Sequence, residues 1–224
     1  MTVLLLHALP LDPRMWAAQR GALAGADPVA PTLYELPGET MDAWADALLE
    51  AVEGRFVAVG ASMGGYLALA AARRAPERVA GLVLVGSRAE ADSPDRRAAR
   101  AEQLRVLEEQ GAAGLWEAMR PSLFPPGTDP SVVEQARSIA LGQEPAGLAR
   151  AVRAIRDRPD ARDVLRELGD RTVVVLGEAD PIAPPDEVFA PGGATVLPGC
   201  GHLPSLEQPE RVADILERAV ARWT

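Results

Sequence analysis

Ser62 lies at the centre of Gly60-Ala61-Ser62-Met63-Gly64, a glycine-x-serine-x-glycine pattern. A serine hydroxyl is a weak nucleophile until a base takes its proton. The chain has two histidines, His7 and His202, so the base is sought between them. His202 sits in Gly199-Cys200-Gly201-His202-Leu203-Pro204, where glycines on both sides give a backbone able to present an imidazole. A solvated loop histidine is the competing reading, and the need of Ser62 for a partner favours His202 as the base. His7 closes the first apolar run, where the end of a strand brings it close to Ser62. Its ring is read as bonding the adjacent loops and shaping the turn. An imidazole base needs an acid to fix its tautomer and stabilise its cation. Asp180, in Gly177-Glu178-Ala179-Asp180-Pro181, is that candidate from the chain order serine, aspartate, histidine. Aspartate before proline is also a good helix start, so two roles compete for one carboxylate. Glu90 and Asp92 are the next acids in line.

These residues need elements to position them. The apolar run 56–59 reads as a strand and 63–74 as a helix, joined by a turn so tight that Gly60 and Gly64 must be small. Such a turn holds a serine hydroxyl out at its apex. Further strands are expected at 3–6, 28–33, 79–85, 172–176 and 194–197. Helices are expected at 15–23, 41–52 and 212–222. The alternation predicts βαβ units and a mostly parallel sheet of about six strands flanked by helices. From about Arg88 to Leu168 the alternation stops. Helical stretches at 95–110, 115–119, 131–141, 145–156 and 160–168 fill that interval, punctuated by prolines. The expected organisation is a core of residues 1–87 and 169–224, interrupted by a helical cap over 88–168.

Composition narrows the chemistry further. The chain has 224 residues, 48% of them hydrophobic and 25% charged, as expected of a globular protein with a real core. Its net charge of −9 argues against nucleic acid as a partner. Arginine is the only cationic residue besides histidine, and asparagine is absent, so no N-glycosylation acceptor exists. Cys200 is the sole cysteine, which excludes an internal disulfide. A Cys200–His202 pair is the minor alternative to the serine, because a lone cysteine is usually buried and inert. No nucleotide-binding glycine motif follows a strand, and the histidines and cysteine are too scattered for a zinc cluster. No cofactor and no metal are therefore expected. The apolar start of the chain is too short for a signal peptide, and no run is long enough to span a bilayer, so a cytoplasmic protein is expected.

Taken together, four segments resemble the α/β-hydrolase superfamily over essentially the whole chain. His7-Ala8-Leu9-Pro10 resembles its oxyanion loop, and Gly60-Ala61-Ser62-Met63-Gly64-Gly65 its nucleophile elbow. Gly177-Glu178-Ala179-Asp180 resembles its acid turn, and Pro198-Gly199-Cys200-Gly201-His202 its histidine loop. Within the superfamily the chain is most similar to small capped carboxylesterase and enol-lactone hydrolase-like members. The resemblance implies a Ser62–His202–Asp180 triad and an oxyanion hole formed by the backbone N–H groups of Leu9 and Met63. Ala8 stands where the family usually has glycine, which implies a tighter oxyanion loop. The opening antiparallel strands of many relatives have no counterpart. Met15, Trp16 and Met63 are expected on the pocket floor, with Leu115, Trp116, Met119, Leu123 and Phe124 in the cap. Arg88 and Arg120 are read as solvated surface rather than as receptors for an acidic substrate. The implied reaction is hydrolysis of small carboxylic esters or lactones through an acyl-enzyme. Perhydrolysis or carbon–carbon bond hydrolysis on the same triad is an alternative, as is a binding protein that has kept the fold. Substrate identity and oligomeric state are not legible.

Overall fold

A computed structural model describes residues 1–223. Among them six parallel strands form one sheet in the order β2-β1-β3-β4-β5-β6. They are β1 (Thr2–Leu6), β2 (Pro28–Val29), β3 (Phe56–Ala61), β4 (Val79–Val85), β5 (Thr172–Gly177) and β6 (Thr195–Leu197). Strands β3 and β4 are buried along their whole length, which is why they read as continuous apolar runs rather than alternating ones. β2 is shorter than the expected 28–33. Pro31 has no N–H to give to a ladder, and the chain leaves the sheet after Val29.

Flanking the sheet are α1 (Ala17–Ala22), α2 (Met41–Ala51) and α3 (Met63–Arg74). A 3-10 turn over Pro13–Trp16 precedes α1, started by the Asp12 side chain, which accepts from the N–H of Arg14. The chain leaves the sheet at Val85 and returns at Thr172. Between them lie α4 (Pro94–Leu123), α5 (Pro130–Leu141), α6 (Pro145–Asp157) and α7 (Arg162–Leu168). After β6 come α8 (Pro204–Glu207) and α9 (Pro209–Trp223). The two expected helices, 95–110 and 115–119, are the two arms of the α4 span, parted at Gly111. That residue has φ 65° and ψ −160°, a conformation in which a side chain would be strained. No helix among the described residues is long and apolar enough to cross a membrane.

Topology fixes where a site can form. β1 sends its connection to β2 on one side, and β3 adds to β1 on the other. The loops after β1 and β3 therefore part company at their carboxyl ends, leaving a crevice between them. Leu6 is in register with Gly60. Leu9 and Met63 each stand three residues beyond that pair, on opposite sides of the same crevice.

Candidate active site

Ser62 occupies φ 47° and ψ −109°, a region that costs a non-glycine residue roughly 1–3 kcal/mol. The surroundings hold it there. Its N–H donates to the Val85 carbonyl at 2.9 Å, and its own carbonyl accepts from the Ser87 hydroxyl at 2.8 Å and from the N–H of Gly65 at 3.0 Å. The turn closes only because nothing projects from its glycines. A Cβ on Gly60 would overlap the Gly64–Gly65 backbone, and one on Gly64 would overlap the Leu6 carbonyl.

The histidine loop brings His202 to this apex. Its Nε2 lies 2.9 Å from the Ser62 Oγ, and its Nδ1 lies 2.8 Å from the Asp180 Oδ2. Asp180 Oδ1 accepts from the N–H groups of Ile182 at 2.8 Å and Ala183 at 3.0 Å. The two roles expected to compete are thus divided between its two oxygens. Burial opposes the Asp180 charge. The neighbouring His202 and the bonds from His202, Ala183 and Ile182 outweigh it and hold the carboxyl below its ordinary range. Ser62 keeps 9% of its surface open, against 2% for His202.

Three successive N–H groups fix the histidine backbone. That of Gly201 donates to Glu207 Oε2 at 2.9 Å, that of His202 to the Leu123 carbonyl at 3.1 Å, and that of Leu203 to Glu207 Oε1 at 3.1 Å. Glu207 reaches back from the end of α8 much as an acidic residue in a first turn caps its own helix. Its partly buried position pushes its carboxyl up, against the bonds from Gly201, Leu203 and Cys200. Sequence reading passed over Glu207 and placed Leu123 only among the apolar residues of the cap. The spacing His202 to Glu207 across a proline-started turn carried a capping signal for the first; nothing local marks the second.

The N–H groups of Leu9 and Met63 find no partner among the described residues, so both remain free to donate. Ala8, in the loop between, turns its N–H to the Met15 sulfur at 3.2 Å and is wholly buried. His7 stands apart from the Ser62 pair. Its Nδ1 lies 3.1 Å from the Ala8 carbonyl, and its Nε2 accepts from the N–H of Leu33 at 2.9 Å. Burial drives its pKa down to about 4, against the pull of Ala8 and Asp12, so the ring is neutral near pH 7.

Other candidates fall elsewhere. Glu90 accepts from the Phe189 N–H and pairs with Arg88, and Asp92 pairs with Arg100 and Arg158; neither bonds His202. Arg88, read as solvated, is 8% exposed and pairs at 3.2 Å with the largely buried Glu90, while the exposed Glu187 lies 3.9 Å away. Arg120 is exposed, as expected. Met15, Trp16, Met63, Leu115, Trp116 and Leu123 are buried in the core, Phe124 is 7% exposed, and Met119 lines an open cleft. Cys200 is buried, and burial followed by Glu207 pushes its thiol pKa up, away from the reactive thiolate. Among the described residues no group of three or more His, Cys, Asp and Glu is arranged to hold a metal ion.

Comparison with known proteins agrees with this architecture. A thermophilic esterase from Thermogutta terrifontis, solved with malate bound, is 36% identical, with TM-score 0.90 over 100% of this chain and 91% of that one. The pimeloyl-[acyl-carrier protein] methyl ester esterase of Aromatoleum aromaticum is 29% identical over 97% of each chain. The enol-lactonase from Burkholderia xenovorans LB400 shares the fold, at 22% identity and TM-score 0.82 over 98% of this chain and 91% of that one. The model of the alpha/beta hydrolase family matches residues 3–215. On these grounds the chain belongs to the alpha/beta hydrolase family.

Proposed function

We propose that the chain hydrolyses carboxylic esters, lactones included, through an acyl-enzyme on Ser62. The unbroken hydrogen-bonded series from Asp180 through His202 to the Ser62 Oγ carries this reading. The esterase activities named for the Thermogutta and Aromatoleum relatives support it. His202 takes the Ser62 proton as Oγ bonds the carbonyl carbon. The carbonyl oxygen becomes an oxyanion between the N–H groups of Leu9 and Met63. The tetrahedral adduct collapses, the carbon–oxygen bond to the leaving group breaks, and His202 returns the proton to that oxygen. Water then attacks the acyl carbon, His202 takes its proton, and the acid leaves as Ser62 regains its own. Asp180 holds Nδ1–H and stabilises the imidazolium at each transfer.

A fluorophosphonate probe tests this, since its phosphorus forms a stable bond only with an activated hydroxyl. The expected result is an adduct mapped by mass spectrometry to Ser62, lost in Ser62→Ala, much slowed in Asp180→Asn and unchanged in Cys200→Ala. An adduct at another residue, or none on a folded protein that still cleaves esters, refutes the assignment. Neither adduct nor esterase activity would favour the binding-protein alternative.

A further inference from the structure

Beside the candidate triad lies a cleft of about 340 Å³, bounded by both arms of α4 and by Pro181–Ile182. Single hydrogen bonds tie its walls to the catalytic pair. Ile182, on one wall, gives its N–H to Asp180. Met119, on the other, stands one helical turn before Leu123, whose carbonyl holds the His202 N–H. The cleft is therefore contiguous with the element carrying the acid and the element holding the base.

One cation on this wall lacks a counter-ion. Arg96 is half-buried and donates from Nη2 to the Ile182 carbonyl at 2.9 Å, and no carboxylate pairs with it among the described residues. Its cationic neighbours pair elsewhere: Arg88 with Glu90, and Arg100 with Asp92, which it shares with Arg158. Asp95, on the same rim, is exposed and forms no ion pair with it. Burial, then the charges of Arg88 and Arg100, weigh against the Arg96 cation, and the Asp92 charge favours it without pairing with it. One Nη2 hydrogen goes to Ile182; the other, beside Nε–H or an Nη1 hydrogen, still completes a fork that grips a carboxylate. Ala99, Ala118, Met119 and Ile182 supply apolar wall around it, suited to a short methylene chain.

Resting on the ester-hydrolase reading, we propose that this cleft is a subsite for a carboxylate carried by the substrate, with Arg96 as its receptor. The substrate class is then an ester or lactone that also carries a free carboxylate, such as a half-ester of a dicarboxylic acid, with the spacing read from the chain-length series below. Arg96 selects the anionic end; Ser62 attacks the neutral one.

The test compares kcat/KM for the monomethyl esters of succinate, glutarate and adipate with that for their neutral dimethyl esters. The expected monoester-to-diester ratio for the best chain length falls about tenfold or more in Arg96→Gln, the effect of one charge-assisted pair at a half-exposed site. Arg96→Lys should lie between, keeping the charge without the fork. Arg137→Gln, which removes an exposed charge on α5 away from the cleft, leaves the ratio unchanged. A second readout needs no turnover: free adipate should raise the melting temperature of the wild type and much less that of Arg96→Gln. An unchanged ratio in a folded Arg96→Gln, or equal stabilisation of both proteins by adipate, overturns the subsite. If no ester is cleaved and Ser62 takes no phosphonate, the hydrolase reading fails, and the melting comparison alone then decides whether the carboxylate site stands.

Discussion

His7 should make the fold acid-sensitive in a way that can be isolated. In the unfolded chain its imidazole takes a proton near 6.5, whereas in the folded protein burial delays this to about 4. Between those values the unfolded state binds more protons, so stability is lost as pH falls from about 7 toward 4 and is fully present above 6.5. At about 1.4 kcal/mol for each pH unit, the loss is about 3 kcal/mol. The site is fully buried, so solvent screening does not reduce it appreciably. The physical cause is specific. A protonated Nε2 can no longer accept from the Leu33 N–H, and a cation would sit buried beside the edge of the Tyr34 ring. His7→Gln supplies the comparison, because an amide can give to the Ala8 carbonyl and accept from Leu33 without titrating. Urea unfolding of both proteins at intervals from pH 7.5 to 4 reads the difference directly. The wild type should lose about 3 kcal/mol relative to His7→Gln across that range, with other titrating groups cancelling. A difference that stays constant with pH would refute the buried, neutral state of His7.

Two further outcomes follow from close approaches around the site. Gly64→Ala must push α3 away from the Leu6 carbonyl, so it should cost about 1–3 kcal/mol in thermal or urea unfolding and slow phosphonate labelling of Ser62. Normal labelling at unchanged stability would mean the elbow has slack that its geometry denies. Glu207→Ala removes the carboxylate that accepts from the N–H groups on either side of His202, so kcat should fall about tenfold with little change in KM, read by steady-state ester hydrolysis. An unchanged kcat would show that His202 needs no such clamp.

Much of the fold was legible because its signals are local. The buried strands β3, β4 and β5 are runs of small and β-branched apolar residues, and nothing but a sheet interior accounts for them. Ser62 was legible because the constraint that shapes it, glycine on either side, is written within two residues. Asp180 and His202 were legible through their loops and their order along the chain. So was the break at Gly111, where a glycine with a positive φ ends the first arm of α4 before the second begins. Arg88 was misplaced because its partner Glu90 is held under the surface by the Phe189 N–H, ninety-nine residues further along the chain. The contact between Leu123 and His202 could not be read at all, since a backbone carbonyl carries no residue type.

That contact has a consequence for how the helical segment and the sheet domain work together. The base is not simply displayed by its own loop. Its N–H is held by the last residue of α4, while Glu207 holds the N–H on either side, so three bonds of about 1 kcal/mol each fix one imidazole. Their total is of the same order as the roughly 1–3 kcal/mol that Ser62 gives up in its strained conformation. The pair therefore stays aligned because the surroundings of each partner outweigh its preference to relax. Moving Leu123 would release His202, so the carboxyl end of α4 cannot swing without dismantling the site. Gly111, at the bend between the two arms, is free of that coupling. Arg96 stands on the first arm, which among the described residues makes no hydrogen bond to His202, whereas the second arm holds the His202 N–H through Leu123.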